Sequence, residues 1–240
     1  GLGNGIANLH NARRASTPVI NLIGNHAHYH VGYDAPLTSD IDTLAKNVSS
    51  WVKGDSTASS LATDGMLALQ SALTAKPGSA GQISTMIIPA DACWNENGAV
   101  APFIVAPERS KVDDKVVAEV AQLLDSNSMI LIDSDGLSVD ARIAANRISQ
   151  KTGCRVSMTP FPARVDGGAG MPGCERLPYF PEQVMAALAG VEKLILAGAD
   201  SPVSFFAYPN TPSVLVPENC AVVRLSERQE DTTQALQSLA

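Results

Sequence analysis

Short runs that are apolar on both sides, set between stretches of helical periodicity, constrain this chain most. The runs are "PVINLI" (18–23), "ISTMIIPAD" (83–91), "SMILI" (128–132), "CRVSM" (154–158), "KLILAGA" (193–199) and "CAVVRL" (220–225). A strand with one wet face alternates apolar and polar residues. A strand with two apolar faces sits in a parallel sheet with helices over both sides. Helical patterns fall between the runs, at 3–15, 40–46, 56–76, 111–125, 138–151, 181–189 and near 230–238. Strand-helix-strand alternation of this kind predicts an α/β fold built on doubly wound parallel sheets.

Periodicity lapses in "DACWNENGAVAPFIVAPE" (91–108), where prolines and polar residues read as a linker. The expectation is therefore two units, residues 1–95 and 111–240, joined by 96–110. The 240 residues, 45% of them hydrophobic, are enough to give each unit a core. The opening "GLGNG" is a glycine-rich turn that launches a helix, and such turns normally follow a strand. The first sheet is accordingly expected to be incomplete at its N-terminal side, as though cut inside a strand-turn-helix unit. Residues 25–39 and 159–180 read as loops.

Charge and cysteine usage exclude several classes. Net charge is −7, and the longest basic cluster is the pair Arg13-Arg14, so no nucleic-acid footprint is present. No apolar stretch approaches the ~20 residues of a membrane span, and no signal peptide is visible. Cys93, Cys154, Cys174 and Cys220 are far apart with no C-x-x-C, which suggests neither zinc nor a disulfide framework. Reduced cysteines of this kind fit a cytoplasmic protein.

"IGNHAHYHVGYD" carries His26, His28 and His30. Alternate residues on a strand share a face, so the three could converge on one ion in a metal-dependent hydrolase. Against this, Gly24 and Asn25 are expected to break the strand first, and the only other histidine is His10. "ILIDSDGLS" (130–138) lies where a dinucleotide fingerprint would lie, and a non-catalytic nucleotide-binding module around Ser134–Ser138 is a second possibility. It has one glycine, Gly136, and Asp133 and Asp135 would repel a pyrophosphate.

The stretch "GLGNGIANLHNARRASTPVINLIGNHAHYHVGYDAPLTSDI" (1–41) resembles the thiamine-diphosphate enzymes of the acetolactate synthase group. In that family a G-P-G turn starts a helix, an asparagine follows, and a strand ends in G-Q before a loop like "THLIGTDAFQEADI". Gly1 falls on the second glycine of the turn, Asn4 on the asparagine, Pro18 at the strand's start and Gly24 on the strand-end glycine. "KPGSAGQISTMIIPADA" (76–92) is similar to the segment that closes the family's pyrimidine-binding domain. "KLILAGADSPVSFFAYP" (193–209) is similar to a strand and loop late in its central domain. There are departures: Asn25 replaces the family's glutamine, His26 replaces valine, and Pro36-Leu37 replace Phe-Gln.

The resemblance implies the C-terminal half of a pyrimidine-binding domain followed by a central Rossmann-like domain. It implies a parent enzyme that uses thiamine diphosphate and Mg²⁺ on a small 2-keto acid, by carboligation or decarboxylation, as a homodimer or homotetramer. On that alignment Asn4, Gly24 and Asn25 would border the cofactor, and Asn25 and His26 would face the substrate. The family's activating glutamate has no counterpart, since the first glutamate here is Glu96. Gly54-Asp55 is the only G-D, and no paired asparagine follows it to complete a diphosphate and Mg²⁺ motif. Neither cofactor is therefore expected to bind this chain alone, no residue is assigned to a metal, and Gly136 alone does not support flavin. The chain by itself is expected to be inactive.

Overall fold

The computed structural model describes residues 1–105 and 107–240. They form two units, Gly1–Glu108 and Arg109–Ala240, and each sheet is wholly parallel.

The first unit runs α1 (Leu2–Arg14), β1 (Val19–Asn25), α2 (His28–Val31), α3 (Ile41–Val48), β2 (Trp51–Lys53), α4 (Leu61–Leu73), β3 (Ile83–Pro89) and α5 (Ala90–Trp94). Its strand order is β1-β3-β2. Central β3 is buried from Ile83 to Ile87, with Ser84 and Thr85 among the buried residues. Leu2, Ile6 and Leu9 of α1, with Ile41 and Ala45 of α3, pack on Ile23, Val52 and Ile87. The chain moves one way from β1 to β2 and back to β3. Right-handed crossovers then place α4 on the face opposite α3. On that opposite face β1, an edge strand, leaves Ile20 38% and Leu22 65% exposed.

The second unit runs α6 (Asp114–Ala121), β4 (Ser128–Ile132), a 3₁₀ turn (Ser134–Leu137), α7 (Val139–Thr152), β5 (Arg155–Met158), β6 (Glu175–Arg176), α8 (Pro181–Ala187), β7 (Lys193–Ala197), β8 (Ala221–Ser226) and α9 (Thr232–Leu239). The order β6-β5-β4-β7-β8 is doubly wound. Alternate residues serve opposite faces. Ile130, Ile132 and Ile195 join Ala144, Ile148 and Leu236 in one core. Met129, Leu131, Leu194 and Leu196 join Val184 and Leu188 in the other.

Several expectations need correction. Gly24 and Asn25 do not break β1, because they continue its ladder opposite Ile88 and Pro89. The 25–39 segment is not all loop: one helical turn, α2, holds His28 and His30. α4 is shorter than the 56–76 pattern, because Ser56 and Ser60 donate to buried Asp64 and shape a turn before it. α6 is shorter than 111–125, since Asp113 caps it by accepting from the Lys115 N–H. β2 and β6 were not anticipated.

Candidate active site

Asn25 closes β1 on the same face as Ile23, one residue out of phase with Gly24. Its side chain lines a polar cavity of about 270 Å³, together with Ser39, Asp40, Asp42, Gly54 and Asp55. These residues come from the carboxyl ends of β1 and β2 and from the start of α3, the edge where parallel sheets hold ligands. Asp40 caps α3 by accepting from the Thr43 N–H at 3.0 Å, and that backbone bond holds its carboxyl below the usual range. Asn25 Oδ1 accepts the His26 N–H at 2.8 Å, which leaves its amide N–H groups as the donors it can offer.

The histidines do not form a strand row. His26 is half-buried, with its ring 5.3 Å from that of His30, whose ring in turn lies 5.9 Å from Tyr33. His28 turns away to a carboxylate. Its backbone N–H donates to Asp91 Oδ1 at 3.0 Å, and Nδ1 lies 2.9 Å from Asp91 Oδ2. An ionised carboxylate on Nδ1 keeps the proton there and leaves Nε2 as the working nitrogen. The hydrogen bonds from His28 hold the Asp91 carboxyl below the usual carboxylate range. Among the described residues, no group of three or more His, Cys, Asp or Glu is placed to hold a metal ion.

The sequence-predicted residues thus separate. Asn25 lines the cavity, while Gly24, His26 and His28 do not. Gly24 sits on the other face of the strand, with open space where a Cβ would be. Asn4 is exposed on the first turn of α1. Sequence reasoning missed Asp91. Its signal was a carboxylate directly after the apolar run of β3, where side chains pass the carboxyl end of the sheet.

In the second unit the strand order reverses between β4 and β7. The crevice there is filled by internal ion pairs. Arg228 meets Asp133 at 3.2 Å and Asp200 at 3.0 Å, and Arg109 meets Asp135 at 2.6 Å. Burial pushes the Asp133 and Asp135 carboxyls up, against the pull of these arginines.

No protein-family model matches the chain. It is 47% identical, over 229 residues, to a protein of Mycobacterium tuberculosis (strain ATCC 25618 / H37Rv) named by inference as acetolactate synthase large subunit IlvX. The match takes in 95% of this chain and 43% of that protein. Nearly all of this chain is thus similar to part of an acetolactate-synthase-like protein. It spans less than half the length of that relative. Its fold is shared by a Rhodococcus jostii thiamine diphosphate-dependent 4-hydroxybenzoylformate decarboxylase, with TM-score 0.74 and 20% identity over 99% of this chain and 48% of that one. It is also shared by a benzoylformate decarboxylase from Polynucleobacter necessarius, with TM-score 0.73 and 18% identity over all of this chain and 47% of that one.

The residues fit the family's cofactor only along one edge. The Asn25 amide and the Ile87 wall of the cavity suit one side of a heteroaromatic ring. Although Asp40, Asp42 and Asp55 line the cavity, among the described residues no such group is placed to hold Mg²⁺, which takes oxygen ligands in octahedral array. The switch-point crevice, with Asp133, Asp135 and Asp200 turned into it, does not fit the diphosphate of a flavin or another dinucleotide. Among the described residues no helix is long and apolar enough to cross a membrane.

Proposed function

We propose that this chain is a segment of a thiamine-diphosphate-dependent enzyme that acts on small 2-keto acids, by acetolactate-synthase-like carboligation or by decarboxylation. The observation that carries the reading is the 47% identity along 95% of the chain. When bound, thiamine diphosphate supplies the carbon nucleophile and the electron sink. This chain would supply one edge of the pocket. Asn25 offers amide N–H donors to the cavity. His28, oriented by Asp91 in the turn that follows β1, would exchange a proton with the substrate through Nε2. His26, packed against His30, shapes the same loop. The remainder of the site, including the diphosphate and Mg²⁺ ligands, would come from parts of the parent beyond this stretch. The active parent is proposed to be a homodimer or homotetramer in the cytoplasm, with no nucleic-acid or membrane partner.

The test is the complete gene product, loaded with thiamine diphosphate and Mg²⁺ and given a panel of aliphatic and aromatic 2-keto acids. Release of CO₂ from at least one is expected, and no turnover of any would overturn the reading. Calorimetric titration of the same cofactors into this chain alone should give no heat. Micromolar affinity would show that the site is complete here.

A further inference from the structure

Arg142 lies on the inner face of α7 and is 8% exposed. Its guanidinium donates to the backbone carbonyls of Asp166 and Pro172, which ties the loop before β6 to the helix. Those two bonds use two of its five N–H donors. Its Nε is buried with no partner, and among the described residues no carboxylate pairs with it. A guanidinium held by neutral carbonyls alone keeps its charge uncompensated in a low-dielectric setting, which is unfavourable unless something offsets it.

Beside it is a cavity of about 90 Å³, lined by Arg142, Asn146, Ser149, Val156, Gly173 and Cys174 among others. That is well above the ~10–15 Å³ that one water needs. None of the lining residues is acidic. Ser149 already gives its hydroxyl hydrogen to the Cys154 carbonyl at 2.7 Å. The lining therefore offers a fixed positive charge and the amide donors of Asn146, and no negative group. A ligand made only of acceptors and carrying negative charge matches such a wall.

We propose that this cavity is a binding site for a small oxyanion of the carboxylate class, held by Arg142 with Asn146. The planar guanidinium presents N–H groups in a fork that matches the two oxygens of a carboxylate. The cavity has room for a small carboxylate such as formate or acetate. Occupancy fixes the loop that carries Asp166 and Pro172, because the same arginine holds both. This site lies in the second unit and does not depend on the thiamine reading.

Cys174 reports on occupancy. Burial already pushes its thiol up, Arg142 pulls the other way, and the neighbouring Glu175 carboxylate adds to the rise. An anion beside it fills the space an alkylating reagent must enter, and disfavours the reactive thiolate. The experiment alkylates the chain with iodoacetamide in low-salt zwitterionic buffer and maps Cys174 by peptide mass, with exposed Cys93 as internal reference. Sodium formate or acetate at ten times its Kd should cut the Cys174 rate to about a tenth. Sodium chloride, a spherical anion with no pair of oxygens to match the guanidinium fork, should protect far less at equal ionic strength. The Cys93 rate should not move. Arg142→Met should abolish the protection, and Asn146→Ala, on a half-exposed helix position, should weaken it several-fold with the fold intact. Equal Cys174 rates in formate and chloride overturn the proposal, whether or not Arg142→Met folds. Undiminished protection in Asn146→Ala and Arg142→Met also overturns it, because the anion would then bind elsewhere.

Discussion

At the scale of single residues, the decisive contact joins the ends of two strands. His28 stands just past β1 and Asp91 just past β3, and neither position is informative without the other. A carboxylate-anchored imidazole is a competent acid and base, and such groups typically contribute on the order of 10²–10⁴-fold in rate. In the complete enzyme, His28→Ala should lower kcat by about that range, while His26→Ala, which removes an imidazole with no carboxylate partner, should lower it less. A larger loss at His26 would return the role to the residue that sequence order alone favours. Asp91 also makes a pH prediction. Its carboxyl ionises more readily in the folded chain than in the unfolded one. Its stabilisation is therefore complete above the unfolded pKa of about 3.9 and is lost as pH falls through the lower folded value. Asp91→Asn should lower the urea midpoint of the first unit near neutral pH. The difference should close as pH falls well below about 3.9. A gap that persisted in acid would mean that packing, not charge, holds the pair. Gly198 offers a steric test. Its φ is +63°, and an added Cβ would lie 2.8 Å from Thr232 Oγ1 and 3.0 Å from the Asp133 carbonyl. Gly190, at φ +75°, has open space around its missing Cβ. Gly198→Ala should thus destabilise clearly more than Gly190→Ala, which costs backbone strain alone, about 1 kcal/mol. Equal midpoints in urea for the two variants would contradict this.

At the scale of elements, local chemistry marks α7 at both ends. Ser138 accepts from the Ala141 N–H and also meets the Thr233 hydroxyl at 3.0 Å, and Gly153 takes the left-handed position at φ +77° that ends the helix. Ser138→Ala should cost about 1 kcal/mol, measured from the urea midpoint of the second unit. No change would mean that the tertiary contacts of α7 hold its first turn unaided. Elements like this one were legible because their signals are local. The strands β4 and β7 were legible because burial on both faces writes an apolar run, MILI in one and LILA in the other, and β3 was legible from Met86-Ile87-Ile88. β2 and β6 were not. Trp51–Lys53 and Glu175–Arg176 are three and two residues long and become strands only by pairing with β3 and β5. The helical turn α2 was also invisible, because the Asp91 carboxylate that receives its first N–H comes from α5, distant in sequence and just past the end of β3. The same reason hid Asp91 from the candidate site, whereas Asn25 was found from its place at the strand's end. Long-range pairing of this kind leaves no period in the sequence.

At the scale of the whole molecule, the two units are unequal in what holds them. The second unit has a five-stranded sheet with a packed core on each face, the two centred on Ile130 and Ile195 and on Leu131 and Leu194. The first has a three-stranded sheet whose buried cluster is built on Leu2, Ala45 and Ile87, and its edge strand leaves Leu22 mostly exposed. Buried apolar area is the dominant favourable term in folding, and small sheets with one open edge supply less of it per ordered residue. The first unit should therefore unfold at lower denaturant than the second. The sequence provides a reporter for this. Both tryptophans, Trp51 and Trp94, lie in the first unit, and half-buried Trp51 sits in β2 against β3. Tryptophan fluorescence then follows the first unit alone, while far-ultraviolet circular dichroism follows the helices and strands of both. In a urea titration the fluorescence transition should come first. The dichroism signal should fall in two steps, the earlier one coincident with fluorescence. Residues 109–240 expressed alone should retain the later step at the same midpoint. A single transition shared by both probes would show that the units fold as one cooperative body, with the smaller core stabilised by the larger.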